Sequence, residues 1–246
     1  MNDDIEQLLN SLRLEKMHQI YDREVQRAEK NKSSYSEFFA RLLRAQYHDM
    51  QNRSTKARIK RARMPEIWSL DTFPWDKQPG VDHKQIMELA EMEFIQTGTN
   101  VIFIGSTGVG KTGIASGLLL KAIQDGYRGR FIRAQDLFDE MYSSLADRST
   151  RKLLDQLIRF EIILIDEFGY LNLRSEQTNI FFKLMEERYV QRKTTLLTTN
   201  LEYEDWKSFL NNKSLTDALL SRVRHRCTTI RINGSSLRSP SEDLSE

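Results

Sequence analysis

Residues 100–112 read Asn-Val-Ile-Phe-Ile-Gly-Ser-Thr-Gly-Val-Gly-Lys-Thr. The unbroken apolar run Val101 to Ile104 suits a strand buried on both faces of a parallel sheet. The residues that follow, Gly105, Ser106, Thr107, Gly108, Val109, Gly110, Lys111 and Thr112, fit the pattern G-x-x-x-x-G-K-[ST]. In such a loop the glycines let the backbone wrap closely around phosphates, with N–H groups pointing inward at a helix N-terminus. Lys111 is then the point charge for the β- and γ-phosphates, and the Thr112 hydroxyl a ligand for Mg2+. A helical run over 111–125 completes the strand–loop–helix context. The stretch predicts a nucleotide site.

Working outward, apolar strand-like runs fall at 100–104, 130–133, 161–165, 194–198 and 227–232. Helical patterns fill 84–96, 111–125, 135–146, 150–159 and 176–192. This alternation predicts an α/β fold, a parallel five-stranded sheet covered on both faces. Ile162 to Ile165 would carry the chain through that sheet and release Asp166 and Glu167 at the edge where ligands bind in open α/β folds. Asp166 is expected to hold Mg2+, and Glu167 to orient and polarise an attacking water, which favours hydrolysis over transfer to a small acceptor. Asn200, closing the 194–198 run, offers an amide able to bond both the lytic water and a γ-phosphate. Arg222 is an arginine that could reach the γ-phosphate of a neighbouring subunit, or be a surface arginine on a helix end, with Arg224 and Arg226 close enough in sequence to take the former role instead.

The chain has 246 residues and a formal net charge of +2, from 37 Lys+Arg against 35 Asp+Glu. One cysteine, Cys227, excludes an internal disulfide framework. No apolar run approaches the roughly 20 residues a bilayer-spanning helix needs, and Asn2-Asp3-Asp4 does not resemble a targeting peptide, so no membrane partner and a cytoplasmic location are expected. The charge is uneven. Residues 41–64 hold eight basic side chains against Asp49 alone, and 217–238 hold five arginines against Asp217. Such concentration on an otherwise acidic chain suggests a polyanion partner. Ile5, Leu8, Leu9 and Leu12, then Tyr35, Phe38, Phe39, Leu42 and Leu43, recur at helical spacing, with a capping box of Ser34 and Glu37 and a turn at 31–33. The expected layout is a helical N-terminal domain over 1–66, a proline-containing linker over 67–83, a core over 84–233 and a serine-rich disordered tail over 234–246.

The ordered set Lys111, Asp166-Glu167, Asn200 and Arg222 resembles the AAA+ ATPase family. That resemblance implies Walker A, Walker B, sensor 1 and arginine-finger roles for these positions. It also implies Mg-dependent ATP hydrolysis at sites shared between subunits of a homo-oligomer. The 14 residues after Ile232 are too few for the family's C-terminal helical lid. A lidless core behind a helical domain is similar to the IstB/DnaC branch. Leu12-Arg-Leu14-x-x-Met17, Ser34-Tyr35-x-Glu37-Phe38, Arg58-Ile-Lys60-x-x-Arg63-Met-Pro65, Gly126-Tyr127-Arg128 and Asp166-Glu-Phe-Gly-Tyr170 resemble the IstB-type transposition helpers from about residue 10 to 232. This implies a protein that assembles with ATP on target duplex DNA and stimulates a cognate transposase, with hydrolysis driving disassembly. The alternative is a replicative helicase loader of the DnaC/DnaI type. A small-molecule kinase fits Glu167 and Arg222 less well, and a non-hydrolysing DNA switch is a further reading. Candidate DNA contacts are Arg58, Lys60, Arg61 and Arg63. A second group is Arg148, Arg151, Lys152 and Arg159, where initiator-type relatives carry a DNA-contacting insert. Ser106 departs from the family's usual loop, and Ser236-Leu237-Arg238 only partly matches its Ser-Tyr-Arg element, so Arg238 receives no role here.

Overall fold

Parallel pairing joins β1 (Asn100–Gly105), β2 (Gly129–Arg133), β3 (Ile162–Phe168), β4 (Thr194–Thr199) and β5 (Cys227–Ile232) into one sheet of order β2-β3-β4-β1-β5 in the computed structural model, which describes residues 2–238. The expected α/β fold with a parallel five-stranded sheet is what forms. Side chains on the central strands alternate between two cores. Val101, Phe103, Ile162 and Leu164 enter one apolar layer, and Ile102, Ile104, Ile163 and Ile165 enter the other. That two-sided burial is why the strand sequences read as continuous apolar runs. On the first layer lies α6 (Lys111–Gln124), through Ile114, Leu118 and Leu119. On the second lie α7 (Ala134–Ala146), α8 (Thr150–Ile158), α9 (Ser175–Val190), α10 (Trp206–Phe209) and α11 (Lys213–His225), around the rings of Phe138, Phe168, Phe181 and Trp206. Because β1, β3 and β4 are neighbours and parallel, the segments following them emerge at one edge of the sheet.

The chain divides into two compact units, Met1–Ala57 and the residues from Arg58 onward, so the division falls within α3 (Tyr35–Ala62). In the first unit α1 (Asp3–Ser11), α2 (Glu15–Asn31) and the first part of α3 bury Leu9, Met17, Ile20 and Leu42. The Ser34–Glu37 capping box forms in both directions, at 3.0 and 3.3 Å. The break between α1 and α2 carries no proline or glycine. Arg13 takes a φ of 57°, and the buried Gln46 carboxamide oxygen accepts from the Lys16 and Met17 N–H groups that open α2.

Residues 58–66 join the second unit, because Ile59, Ala62 and Met64 pack into its first apolar layer. The stretch 67–83 is part of the core wall rather than a linker. Leu70, Phe73 and Val81 are buried there, and Trp75 stacks on Phe73 while donating to the Leu70 carbonyl at 3.0 Å. The helical run over 84–96 is two helices, α4 (His83–Leu89) and α5 (Glu93–Thr97), separated at Met92 with φ 63°. Among the described residues no helix follows β5, and no helix is long and apolar enough to cross a membrane.

Candidate active site

Between β1 and α6 the chain turns through Gly108 and Gly110, with φ of 86° and 94°. A Cβ on Gly110 would meet the Phe73 ring at 2.7 Å, so both its conformation and its neighbours demand glycine. α6 begins at Lys111 with no side-chain cap, leaving its first N–H groups directed at the loop. The Lys111 ammonium is curled onto its own loop, donating to the Gly105 and Ser106 carbonyls at 2.8 and 2.7 Å. Burial holds its pKa below the ordinary lysine value; Asp166 and Glu167 oppose that shift and Arg238 adds to it.

Asp166 is buried at the end of β3, where its Oδ1 accepts from Thr112 Oγ1 at 2.8 Å and from Thr198 Oγ1 at 2.6 Å. The structure thus brings together the two residues expected to hold Mg2+. Glu167 follows at an irregularity in the β3–β4 register, with its side chain exposed and its backbone in the left-handed region at φ 60°. Its N–H donates to the same Thr198 hydroxyl at 3.0 Å. Sequence reasoning missed Thr198. The signal was the register, since Leu197 pairs with Ile165 and Thr199 with Phe168, leaving Thr198 opposite the two carboxylates.

Two cavities flank Lys111. One, of about 310 Å3, is bounded by Thr107, Glu167, Tyr170, Thr198 and Arg238. The Tyr170 hydroxyl bonds Thr107 Oγ1 across it at 2.9 Å. The other, of about 490 Å3, runs from Gly110 and Asp166 to a wall of Trp68, Phe73 and Pro74. The tail also contributes, which corrects the expectation of disorder from residue 234; the expected tail from 239 onward lies outside the described residues. Leu237 N–H donates to the Gly108 carbonyl at 2.9 Å, and Gln78 Nε2 ties the Val109 and Ser235 carbonyls together at 3.0 and 3.2 Å. Arg238 consequently lines both cavities.

A glycine cradle, a helix N-terminus, a lysine and a hydroxyl–carboxylate pair are the donor set a nucleoside triphosphate with Mg2+ requires, and the aromatic wall suits its base. Asn200 and Arg222 are not among the residues lining these cavities. Arg222 instead donates to Glu186 at 3.1 Å and to the Ala218 carbonyl at 3.2 Å. Arg224 lies over the Tyr203 ring and Arg226 over Tyr189, each 5.1 Å from the centroid.

The eight candidate DNA contacts are held in different ways. Arg58 donates to the Ile123 carbonyl, and Arg151 is held by Asp155 at 2.7 Å and Glu187 at 2.8 Å. Lys60, Arg61 and Arg148 are exposed. Arg63, Lys152 and Arg159 share a separate cavity.

Residues 7–245 match the family described as IstB-like ATP binding protein. The chain is 32% identical over 235 residues to a Pseudomonas aeruginosa protein named for ATP binding and for insertion sequence IS21, covering 96% of this chain and 88% of that one. It is 31% identical over 246 residues to a Geobacillus stearothermophilus protein named likewise for insertion sequence IS5376, covering 100% and 98%. Among solved structures it is similar to DnaI, with a TM-score of 0.59 at 20% identity over 68% of this chain and 91% of that one. It is similar also to the replication initiator DnaA bound to AMPPCP and single-stranded DNA, with a TM-score of 0.57 at 20% identity over 68% and 50%. These two likenesses concern the fold alone. With a match spanning nearly its whole length and a phosphate-binding loop facing a carboxylate edge, the chain belongs to the IstB-like ATP-binding family, built on an AAA+ P-loop core.

Proposed function

We propose that this protein is an ATP-hydrolysing, DNA-binding helper of a DNA transposase, which assembles as a homo-oligomer on target duplex DNA with ATP and stimulates transposition. Hydrolysis drives disassembly. The observation that carries the catalytic part is the Asp166 carboxylate bonded to both Thr112 and Thr198, beside Lys111 and Glu167. Thr112 and Asp166 would hold Mg2+, which neutralises charge on the phosphates when bound. Residues Gly105 to Thr112 hold the triphosphate, with Lys111 turning from its loop carbonyls toward it. Glu167 orients and polarises the attacking water, and Asn200 bonds that water and the γ-phosphate. Arg222 completes the site of an adjacent subunit, stabilising charge on the transferring phosphoryl group.

The transposase assignment rests on kinship with proteins named for insertion sequences, at 31–32% identity across nearly full length. A competition between duplex and single-stranded DNA at physiological salt with ATP, followed by transposase strand-transfer assays, tests it. Duplex preference and ATP-dependent stimulation are expected. Preference for single strands, with no effect on transposase, would replace this reading with a helicase loader.

A further inference from the structure

Toward the end of the sheet away from Asp166, a cavity of about 660 Å3 opens beside the edge strand β2. Arg130 stands on its wall, paired in register with Ile163, three positions before the Asp166 edge, or roughly 10 Å at the rise of a strand. Arg63 beyond α3, Lys152 on α8 and Arg159 at its end line the same cavity. Among the described residues none of these four cations forms an ion pair with a carboxylate, whereas adjacent Arg151 has two. Arg130 is partly buried, and among the described residues its one hydrogen-bond acceptor is neutral, the Arg61 carbonyl at 3.3 Å. Of the two acids on the wall, Asp147 accepts from the Ser149 N–H at 2.9 Å and lies in the field of Lys152, and Glu140 lies in that of Arg130, so two acids serve four cations. Burial and then the neighbouring Arg63 push the Arg130 pKa down, with Glu140 opposing. A partly buried guanidinium beside another, with its nearest carboxylate beyond ion-pair contact, is better accommodated once an anion enters.

We propose that this groove is a phosphodiester site, in which Arg63, Arg130, Lys152 and Arg159 grip the backbone of DNA. A single acidic side chain would leave most of the four cations unpaired, whereas a nucleic-acid backbone presents phosphates in series. Guanidinium forks also match phosphate oxygens two at a time. The site rests on the DNA-binding reading above and locates it on surfaces the sequence did not connect, since Arg130 was not among the expected contacts.

The test measures binding of the full chain with ATP to a labelled duplex across a salt series, alongside nucleotide binding, thermal midpoint and self-association. Arg130→Gln and Arg159→Gln are each expected to weaken DNA binding several-fold and to lower the salt slope by about 0.9, the share of one phosphate. Arg151→Gln should leave the slope unchanged, and nucleotide binding should be untouched in all three. Without DNA, the thermal midpoint of Arg130→Gln should hold or rise; if it falls, the exposed Arg159 and Lys152→Gln decide. A folded Arg130→Gln with the parental slope overturns the groove while leaving the proposed function standing. Failure of the parent protein to bind DNA overturns both. Loss of self-association with DNA affinity retained would make the groove a protein contact and overturn the proposal.

Discussion

One hydroxyl, that of Thr198, accepts from the Glu167 N–H and donates to Asp166, so it positions both carboxylates without lining up with either by sequence pattern. Thr198→Val keeps the shape and removes both bonds, each buried loss costing about 1–3 kcal/mol. Hydrolysis is therefore expected to fall by roughly 10- to 100-fold while ATP affinity stays within a few-fold, and Thr198→Ser should restore it. Equal loss of kcat and ATP binding would make Thr198 merely structural. Lys111→Ala should abolish ATP binding, because the loop then lacks its point charge. Glu167→Gln should bind ATP and not turn it over. If both variants lose binding alike in a nucleotide-binding assay, these roles are wrongly assigned. The motif made Lys111, Thr112, Asp166 and Glu167 legible across a gap of 54 residues, because phosphate chemistry fixes both residue type and place. Thr198 and Arg238 were not legible, since they come to the site through strand register and through a tail folded along Gly108.

At the scale of elements, the strands were readable because residues buried on two faces leave continuous apolar runs. The breaks at Arg13 and Met92 were not, since packing rather than glycine or proline sets their positive φ. The stretch 67–83 misled for a related reason. Its prolines suggest a connector, yet Trp68 and Phe73, just before Pro74, supply the wall beside Gly110. α9 is fastened by Arg188, which is wholly buried and donates to the Leu157, Phe160 and Thr194 carbonyls and to Thr195 Oγ1, between 2.5 and 3.2 Å. Burial lowers its pKa to about 9. Arg188→Leu removes the buried charge but orphans three carbonyls, and a loss of about 2–4 kcal/mol is expected in urea unfolding. A change below about 1 kcal/mol would mean that water takes the guanidinium's place.

For the whole molecule, the proposed sharing of sites between subunits is tested by a mixing experiment. On that proposal Lys111→Ala subunits cannot hold ATP but can lend Arg222, and Arg222→Ala subunits hold ATP but cannot lend it. Each alone should be inactive, by on the order of 10³-fold for Arg222→Ala if it acts as an arginine finger, and the mixture should regain hydrolysis. No recovery under conditions of subunit exchange would sink the shared site. Global stability has its own connection to the chemistry, through the left-handed backbone of Glu167. A side chain with a Cβ costs about 1–2 kcal/mol there, against roughly 0.5–1 kcal/mol that glycine loses to its freer unfolded chain. Selection for folding alone would therefore favour glycine at this position, and the role in turnover proposed for Glu167 opposes it. Drift in a copy whose ATPase no longer matters should erase the carboxylate without penalty, and purified Glu167→Gly should melt no earlier than the parent protein.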